Sequence, residues 1–276
     1  SALIKKLRRQ YWNFFIQLPD DLASLRTLVR NMVFAKMIGA RAASGFTVRT
    51  IQLFKKAQVD NLYNDTEVES LLKLLKFSGI VIRRAEYDFP ARQEDKKAVD
   101  TFLSQAWNAN TPGPLIALAP GGKRASNQWT LDRFAAVAKY LKDTYNAKIV
   151  IVGASEDREK GKTILSALES DGAAIAAGEF SLLGTYELLR HCTMLVSNST
   201  GSVHLAAAVG IPVVGLYSVR DVPGRWFPYG NRHKPLFHRF IDCDYRDETC
   251  MKHSIEMITV AEVKIACDQL MKELSK

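Results

Sequence analysis

A polar turn that joins an apolar segment to an Ala-rich segment is the part of this sequence best suited to bind an anion. Ser199, Thr200 and Gly201 form the turn, and His204 follows within the next helical turn. A helix that starts in such a turn presents free N–H groups and the positive end of its dipole, which stabilise phosphate groups. The imidazole of His204 lies near enough to donate a hydrogen bond to the same phosphate. The spacing therefore predicts a phosphate-binding helix start.

Two other interpretations compete at this turn. Ser199 and Thr200 are also good N-cap residues for a helix that binds nothing. A Ser-His hydrolase would need a G-x-S-x-G elbow, and Ser197 stands where the first glycine of that elbow should be. His204 favours the anion site over simple capping, and Gly201 beside it lets a ligand approach the backbone closely.

Regular alternation of apolar runs and helical patterns places this turn in an α/β sheet. From Leu115 onward, each apolar run is followed by an amphipathic segment. That order predicts a parallel, doubly wound sheet whose loops gather at the carboxyl ends of the strands. The predicted strands are 115–119, 148–152, 173–177, 194–197 and 213–217, and the predicted helices are 131–145, 156–170, 182–191 and 201–209.

The loop after the first of these strands carries further groups that suit a phosphate. Gly121 and Gly122 allow close backbone approach, and Lys123 supplies a cation. Asn127 precedes Trp129, which can anchor the next helix. The G-x-x-x-x-G-K-[ST] spacing of a Walker loop is absent. An ordinary solvated surface loop is the competing interpretation.

Glu156, just after the second strand, is the candidate partner for ribose hydroxyls. Acidic residues take this role in other nucleotide-binding α/β folds. The same carboxylate would also suit a helix start that binds nothing, because it interacts favourably with the helix dipole. Residues 225–230, which include Arg225 and Trp226, either line the crevice or pack beside it, and the sequence leaves this open.

The first part of the chain is less regular. The elements predicted here are a strand at 11–18 and helices at 22–38, 66–77 and 91–107. Pro and Gly then break the pattern at 108–114, which divides the chain into residues 1–110 and residues 111–276. A final helix at 259–274 begins with a capping box at Thr259.

Composition indicates an ordinary globular protein with anionic partners. Of its 276 residues, 47% are hydrophobic and 24% charged, and the net charge of +9 suits nucleotides, phosphorylated glycans or an acidic membrane face. We expect no nucleic-acid partner, because no zinc-finger or RNA-binding motif accompanies the dispersed basic residues. The basic segment at 5–9 lacks the cleavage site of a signal peptide, and no window reaches the roughly 18 apolar residues of a membrane span. These features predict a cytoplasmic protein.

The cysteines and histidines do not have metal-site spacing. The four cysteines form no C-x-x-C pair, so neither a metal nor another cofactor is expected. Cys192 and Cys267 fall in helical patterns and are predicted to be core thiols. Cys243 and Cys250 suit a disulfide or a ligand contact, but a cytoplasmic location favours reduced thiols.

Four segments, in this order and spacing, resemble glycosyltransferase family nine, the ADP-heptose:lipopolysaccharide heptosyltransferases. They are PGGKRASNQWTLDRFAAVA, IVGASEDRE, AAGEFSLLGTYELLRHC and LVSNSTGSVHLAAAVGIPVVGLY. The resemblance implies an α/β fold of the GT-B type, with two Rossmann-like domains facing a cleft. Residues 111–276 would be the nucleotide-sugar domain, and residues 1–110 a truncated acceptor-side domain.

The same resemblance implies a donor site and two partners. The residues implied for the donor diphosphate are Ser199, Thr200, Gly201, His204 and Lys123. Glu156 is implied for the ribose, and Gly121, Gly122 and Asn127 for the loop that supports the donor. The implied partners are a nucleoside-diphosphate sugar, with ADP-heptose favoured, and a phosphorylated glycolipid acceptor. Such an acceptor allows peripheral contact with the cytoplasmic face of the inner membrane.

The sequence departs from the family pattern at three places. Ser199 occupies a position where the family often has Asp. Residues 127–130 replace a Lys-x-Trp-Pro element, which leaves Lys123 as the nearest cation. The family's opening strand and its Gly-Asp loop, which carries the catalytic base, have no counterpart here. We therefore expect a truncated or degenerate member in which the catalytic base cannot be assigned.

The sequence thus predicts a glycosyltransferase. It would transfer a sugar, with heptose favoured, from a nucleoside-diphosphate sugar to a lipopolysaccharide-core or related glycan. The alternative is a catalytically inactive module that binds a nucleotide sugar. A nucleotide-sugar epimerase would need its own acid and base carboxylates in the cleft, and none can be assigned from the sequence.

Overall fold

A computed structural model describes residues 2–17, 25–46, 65–90, 92–108, 111–168, 172–219, 224–238 and 248–275. The chain divides into two compact units, Ser1–Ala85 and Glu86–Lys276. Each unit contains helices and parallel strands, which confirms the predicted α/β class.

The described part of the first unit contains three helices and one pair of parallel strands. The helices are α1 (Ala2–Arg8), α2 (Leu25–Met37) and α3 (Glu67–Phe77), and the strands are β1 (Phe14–Ile16) and β2 (Ala42–Ser44). β1 is shorter than the strand predicted at 11–18. The backbone of Tyr11 is left-handed, with φ 46°, and the indole N–H of Trp12 donates to the Leu7 carbonyl at 2.9 Å. Because of this turn, the strand begins at Phe14 and not at residue 11.

The second unit alternates strands and helices. Its strands are β3 (Leu115–Ala119), β4 (Lys148–Ile151), β5 (Ala173–Ile175), β6 (Met194–Asn198), β7 (Val213–Tyr217) and β8 (Lys234–Phe237). Its helices are α4 (Gln93–Ala106), α5 (Leu131–Tyr145), α6 (Arg158–Ser166), α7 (Leu182–Arg190), α8 (Gly201–Val209), α9 (Glu248–Glu256) and α10 (Val260–Leu274). Each element predicted between 115 and 217 has a counterpart of the same type. α6 ends at Ser166 and β5 at Ile175, before the predicted ends at 170 and 177, and residues 169 and 170 lie outside the described residues. β8 and α9 are elements that the sequence pattern does not predict. Within the described ranges, no helix is both long and apolar enough to cross a membrane.

The six strands of the second unit form one parallel sheet, in the order β5-β4-β3-β6-β7-β8. This is the doubly wound order, in which β3 and β6 lie side by side at the centre and the chain leaves them in opposite directions. The predicted doubly wound sheet is therefore confirmed. The carboxyl ends of β3 and β6 mark the point where ligands bind in such sheets.

Helices cover both faces of this sheet. Ile116 and Leu118 of β3 belong to the core on the face covered by α5 and α10. Leu115 and Ala117 belong to the core on the other face, which α4, α7 and α8 cover. Because both faces are buried, the strands appear in the sequence as continuous apolar runs.

α4 packs on the second unit, so the compact units do not separate at the predicted boundary of residue 110. Val99 of α4 is completely buried, and it shares a core cluster with Trp107, Leu115 and Leu188. The compact units instead divide between residues 85 and 86. The charged pattern of α4 predicts a helix but does not indicate which sheet its apolar stripe covers.

Two of the cysteines behave as predicted. Cys192 and Cys267 are free and buried, and burial raises the pKa of both thiols, that of Cys267 to about 12. Cys250 is disulfide-bonded, so the expectation of a reduced thiol there is wrong, and Cys243 lies outside the described residues. In the part of the chain that the structure describes, no group of three His, Cys, Asp or Glu side chains is placed to hold a metal ion.

The start of α10 offers a direct test of local helix stability. The Thr259 hydroxyl accepts a hydrogen bond from the Glu262 N–H at 3.2 Å, and the Glu262 carboxylate accepts one from the Thr259 N–H at 2.7 Å. Thr259→Ala removes the first bond, and we expect the free energy of unfolding in urea to fall by about 1 kcal/mol. Thr259→Ser keeps the hydroxyl and is the control. Equal stability of the two variants would show that this cap does not stabilise the helix.

Candidate functional site

The turn before α8 is held by its own backbone and by β7. The N–H of Ser199 donates to the Leu216 carbonyl at 3.0 Å. Thr200 is the N-cap residue, but its side chain accepts no hydrogen bond from the helix, and its hydroxyl lies 3.3 Å from the hydroxyl of Ser197. The side chain of Thr200 therefore does not cap the first turn of α8, although its carbonyl accepts from the Val203 N–H at 3.1 Å.

The start of α8 also faces open space. A Cβ added at Gly201 would meet no atom within 4 Å, and both Gly201 and His204 are exposed. The His204 ring lies 6.2 Å from the ring of Trp226, at an angle of 73°, and the guanidinium of Arg225 lies 4.9 Å over that indole. Because Trp226 is 39% exposed, it borders this opening rather than the core. The part of the segment 225–230 that carries these two side chains therefore lies beside the helix start.

The side chain of Asn198 joins the end of β6 to the loop after β3. Its amide nitrogen donates to the Pro120 carbonyl at 2.8 Å and to the Gly121 carbonyl at 3.1 Å. Its amide oxygen accepts from the Trp129 N–H at 3.0 Å. Asn198 is completely buried, and a buried amide needs such partners. The sequence pattern predicts only a helix start in this region. The missed signal is a polar residue at the end of a buried strand.

Asp157 packs against the same loop from the other side. A Cβ added at Gly121 would lie 2.2 Å from an oxygen of the Asp157 carboxylate, so only glycine fits without movement. Asp157 is 7% exposed, accepts from the Ala154 N–H at 3.2 Å and pairs with Lys160 at 2.8 Å. The sequence predicts a role only for the neighbouring Glu156, as a partner of the ribose. The contact of Asp157 with the loop is not predicted.

Glu156 is exposed in the short 3-10 helix Ser155–Asp157 that follows β4, and its carboxylate accepts from the Ser155 hydroxyl at 3.3 Å. The strand order places the ends of β4, β3 and β6 next to one another. Glu156 therefore lies one strand beyond the loop after β3 and two strands from α8. A nucleotide with its diphosphate at α8 would need to extend across that loop to reach Glu156.

Side chains also hold the rest of the loop after β3. The Gln128 side chain donates to the Gly122 carbonyl at 2.6 Å, and the Ser218 hydroxyl donates to the Asn127 amide oxygen at 2.6 Å. Asn127 therefore contacts the residue that follows β7, and this contact supports the loop. Lys123 is exposed and has no ion pair among the described residues. Its charge is available to an anion at this edge.

Trp129 anchors the loop to the protein core, as the sequence predicts. It is 1% exposed, and its indole N–H donates to the Ile258 carbonyl at 2.8 Å. Its ring packs edge-on against Phe134 at 5.3 Å, and the guanidinium of Arg133 lies 5.9 Å over it. The loop is thus fixed at both ends, by Asn198 near its start and by Trp129 at its end.

A separate surface cavity of about 400 Å³ lies between α4 and the turn before α7. Lys97, Thr101, Phe102 and Phe180 line it, together with Ala98, Gln105 and Glu179. None of the predicted site residues contributes to its lining. The predicted site residues lie instead in the loops after β3, β4 and β6 and in the first turn of α8, at the carboxyl edge of the sheet.

Comparison with known proteins assigns the family. Residues 1–253 match the model of the family described as Glycosyltransferase family 9 (heptosyltransferase). The chain belongs to glycosyltransferase family 9. The resemblance read from the four sequence segments is therefore confirmed, and the match also includes the first unit.

Sequence similarity to relatives in family 9 covers part of the chain, whereas structural similarity covers nearly all of it. Lipopolysaccharide heptosyltransferase 2 of Salmonella typhimurium is 35% identical over 159 residues, which are 54% of this chain and 45% of that protein. The chain thus spans about half the length of this relative. A glycosyl transferase family 9 structure from Veillonella parvula has a TM-score of 0.73 at 21% identity, covering 99% of this chain and 77% of that chain.

A structure of Escherichia coli ADP-heptose lps heptosyltransferase II is also similar. Its TM-score is 0.66 at 20% identity, and the alignment covers 100% of this chain and 81% of that chain. At these identities the likeness concerns the fold, and it confirms the α/β fold of the GT-B type.

Substitution of alanine at two glycines of the site should have opposite effects on stability. At Gly201 a Cβ meets open space in the first turn of a helix, so Gly201→Ala should leave the protein as stable or up to about 1 kcal/mol more stable. At Gly121 a Cβ collides with Asp157, so Gly121→Ala should cost about 1–3 kcal/mol. Denaturant unfolding of both variants measures the difference. A Gly121→Ala variant as stable as wild type would contradict the packing described here.

Proposed function

We propose that this chain carries the donor-binding part of a sugar transferase that uses ADP-heptose and a phosphorylated glycolipid of the lipopolysaccharide core. One observation carries the proposal. In a family 9 chain, the open start of α8 lies with exposed His204 at the switch point of a doubly wound sheet. The printed names of the relatives, which include lipopolysaccharide heptosyltransferase 2 and ADP-heptose lps heptosyltransferase II, support the donor and the acceptor class.

The donor diphosphate would bind at the start of α8. The proposed contacts are Ser199, Thr200, Gly201 and His204, with Lys123 across the loop. The open Gly201 allows the phosphates to approach the helix backbone, where N–H groups and the helix dipole favour negative charge. Glu156 would accept hydrogen bonds from the ribose at the end of β4. The loop after β3, with Gly121, Gly122 and Asn127, would lie under the donor between its ribose and its diphosphate.

The proposed chemistry is transfer of a glycosyl group. An acceptor hydroxyl oxygen attacks the anomeric carbon as the bond from that carbon to the diphosphate oxygen breaks, and the hydroxyl proton passes to a base. Negative charge grows on the departing diphosphate, so the α8 dipole, His204 and Lys123 would stabilise the transition state. Removal of one such donor typically lowers the rate by about 10²–10³. No base is assigned among the residues of this chain.

Charge along the sequence supports an anionic acceptor. The first 64 residues contain eleven Lys and Arg but three Asp and Glu, a net charge of +8 out of the +9 of the whole chain. A basic segment of this kind attracts phosphorylated glycolipids and acidic membrane surfaces. We therefore propose that the protein acts at the cytoplasmic face of the inner membrane as a peripheral protein.

His204 provides the test of the donor site. We expect His204→Ala to weaken ADP binding by about tenfold to a hundredfold, because a hydrogen bond to a charged group contributes about 1.5–3 kcal/mol. Calorimetric titration measures the affinity. His191→Ala is the matched control, since His191 is exposed at the end of α7, on the opposite edge of the sheet.

Outcomes of this experiment separate the hypotheses. Equal ADP affinity in the His204→Ala variant and wild type would contradict the proposed diphosphate site. Release of ADP from ADP-heptose in the presence of acceptor tests transfer itself. Tight ADP binding without any transfer would instead favour the inactive binding module, which family membership makes the weaker alternative.

A further inference from the structure

Asn198 connects the two central strands at the edge where the donor would bind. It is the last residue of β6, it is completely buried, and its side chain crosses to the loop after β3. All of its polar atoms are used, because the amide nitrogen has two carbonyl acceptors and the amide oxygen accepts from the Trp129 N–H. An aspartate of the same shape would place a second oxygen against two carbonyl oxygens. Asparagine is therefore required by chemistry and not only by size.

These hydrogen bonds fix the direction of two peptide groups. The Pro120 and Gly121 carbonyls both turn toward Asn198. In a trans peptide the N–H points away from the C=O of the same group, and the peptide bonds of the described residues are all trans. The N–H groups of Gly121 and Gly122 therefore point away from Asn198. Neither N–H donates a hydrogen bond within the described part of the chain.

Two adjacent N–H groups without acceptors can stabilise a bound anion. Buried backbone donors are almost always paired in folded proteins, and Gly121 is buried. Successive N–H groups in a turn commonly bind phosphate oxygens. The cation of Lys123 follows directly in the sequence, and the start of α8 lies at the end of the neighbouring strand.

We propose that Asn198 is a positioning residue for the donor diphosphate. By holding the two carbonyls, it turns the N–H groups of Gly121 and Gly122 toward the phosphates. It acts through the loop and does not touch the ligand. This inference rests on the proposed function, because it assumes that a diphosphate binds at this edge of the sheet.

Asn198→Ala tests whether the effect is specific to the phosphates. We expect the variant to bind ADP about tenfold more weakly than wild type, as loss of the hydrogen bonds that orient the loop should produce. Adenosine, which lacks phosphates, should bind both proteins equally. Calorimetry measures ADP, and competition against a fluorescent nucleotide measures adenosine. Equal losses for ADP and adenosine, or no loss for either, would overturn the proposal.

Asn198→Asp gives a second and independent readout. Its ionised carboxylate would repel the two carbonyls, whereas its protonated form can donate a hydrogen bond to one of them. We expect ADP affinity in this variant to improve by about tenfold as pH falls from 8 to 5. Asp157, Lys160 and His204 also carry ionisable groups near this loop, so the change is measured relative to wild type at each pH. A parallel profile for variant and wild type would overturn the proposal.

Folding is checked by circular dichroism before each titration. If the Asp variant unfolds at high pH, the comparison of ADP with adenosine in Asn198→Ala decides the question alone. Failure of wild type to bind ADP would overturn the proposed function itself. Normal ADP binding by wild type and by folded Asn198→Ala would overturn only the role of Asn198.

Discussion

Parallel strand pairing creates the edge of the sheet at which we propose that the donor binds. In the sheet of the second unit, β3 and β6 lie side by side, and the chain moves outward from them in opposite directions. Their following loops therefore separate, and an opening forms between the helices that cover the two faces. The start of α8 lies at this opening with an exposed Gly201. The arrangement of strands, more than any single side chain, places the start of α8 at the edge where we propose that the phosphates bind.

Contacts from three sides hold the loop after β3 in one conformation. Asn198 holds the loop after β3 from the side of β6, and Asp157 fills the space beside Gly121 from the side of β4. Trp129 closes the far end of the loop through its bond to Ile258. Each contact joins segments that are distant in the sequence. A preorganised set of donors gains affinity because little has to be ordered when a ligand binds.

The sequence predicts most of the second unit because its strands are short apolar runs that alternate with helical patterns. It did not predict β8, a short edge strand that contains Pro235, since proline weakens a strand pattern and is tolerated only at an edge. The roles of Asn198 and Asp157 depend on which strands are neighbours, and local spacing does not contain this information. Glu156 and Asp157 are adjacent carboxylates, and only the short 3-10 turn shows which of them packs against Gly121.

A crystal structure of this chain with ADP would be the sharpest test of the proposed diphosphate site. We expect density for the diphosphate at the start of α8. A phosphate oxygen should lie within hydrogen-bond distance of the His204 ring, and another should lie within that distance of the N–H of Gly121 or Gly122. ADP bound elsewhere, for example in the cavity of about 400 Å³ beside Phe102 and Phe180, would contradict the proposed site.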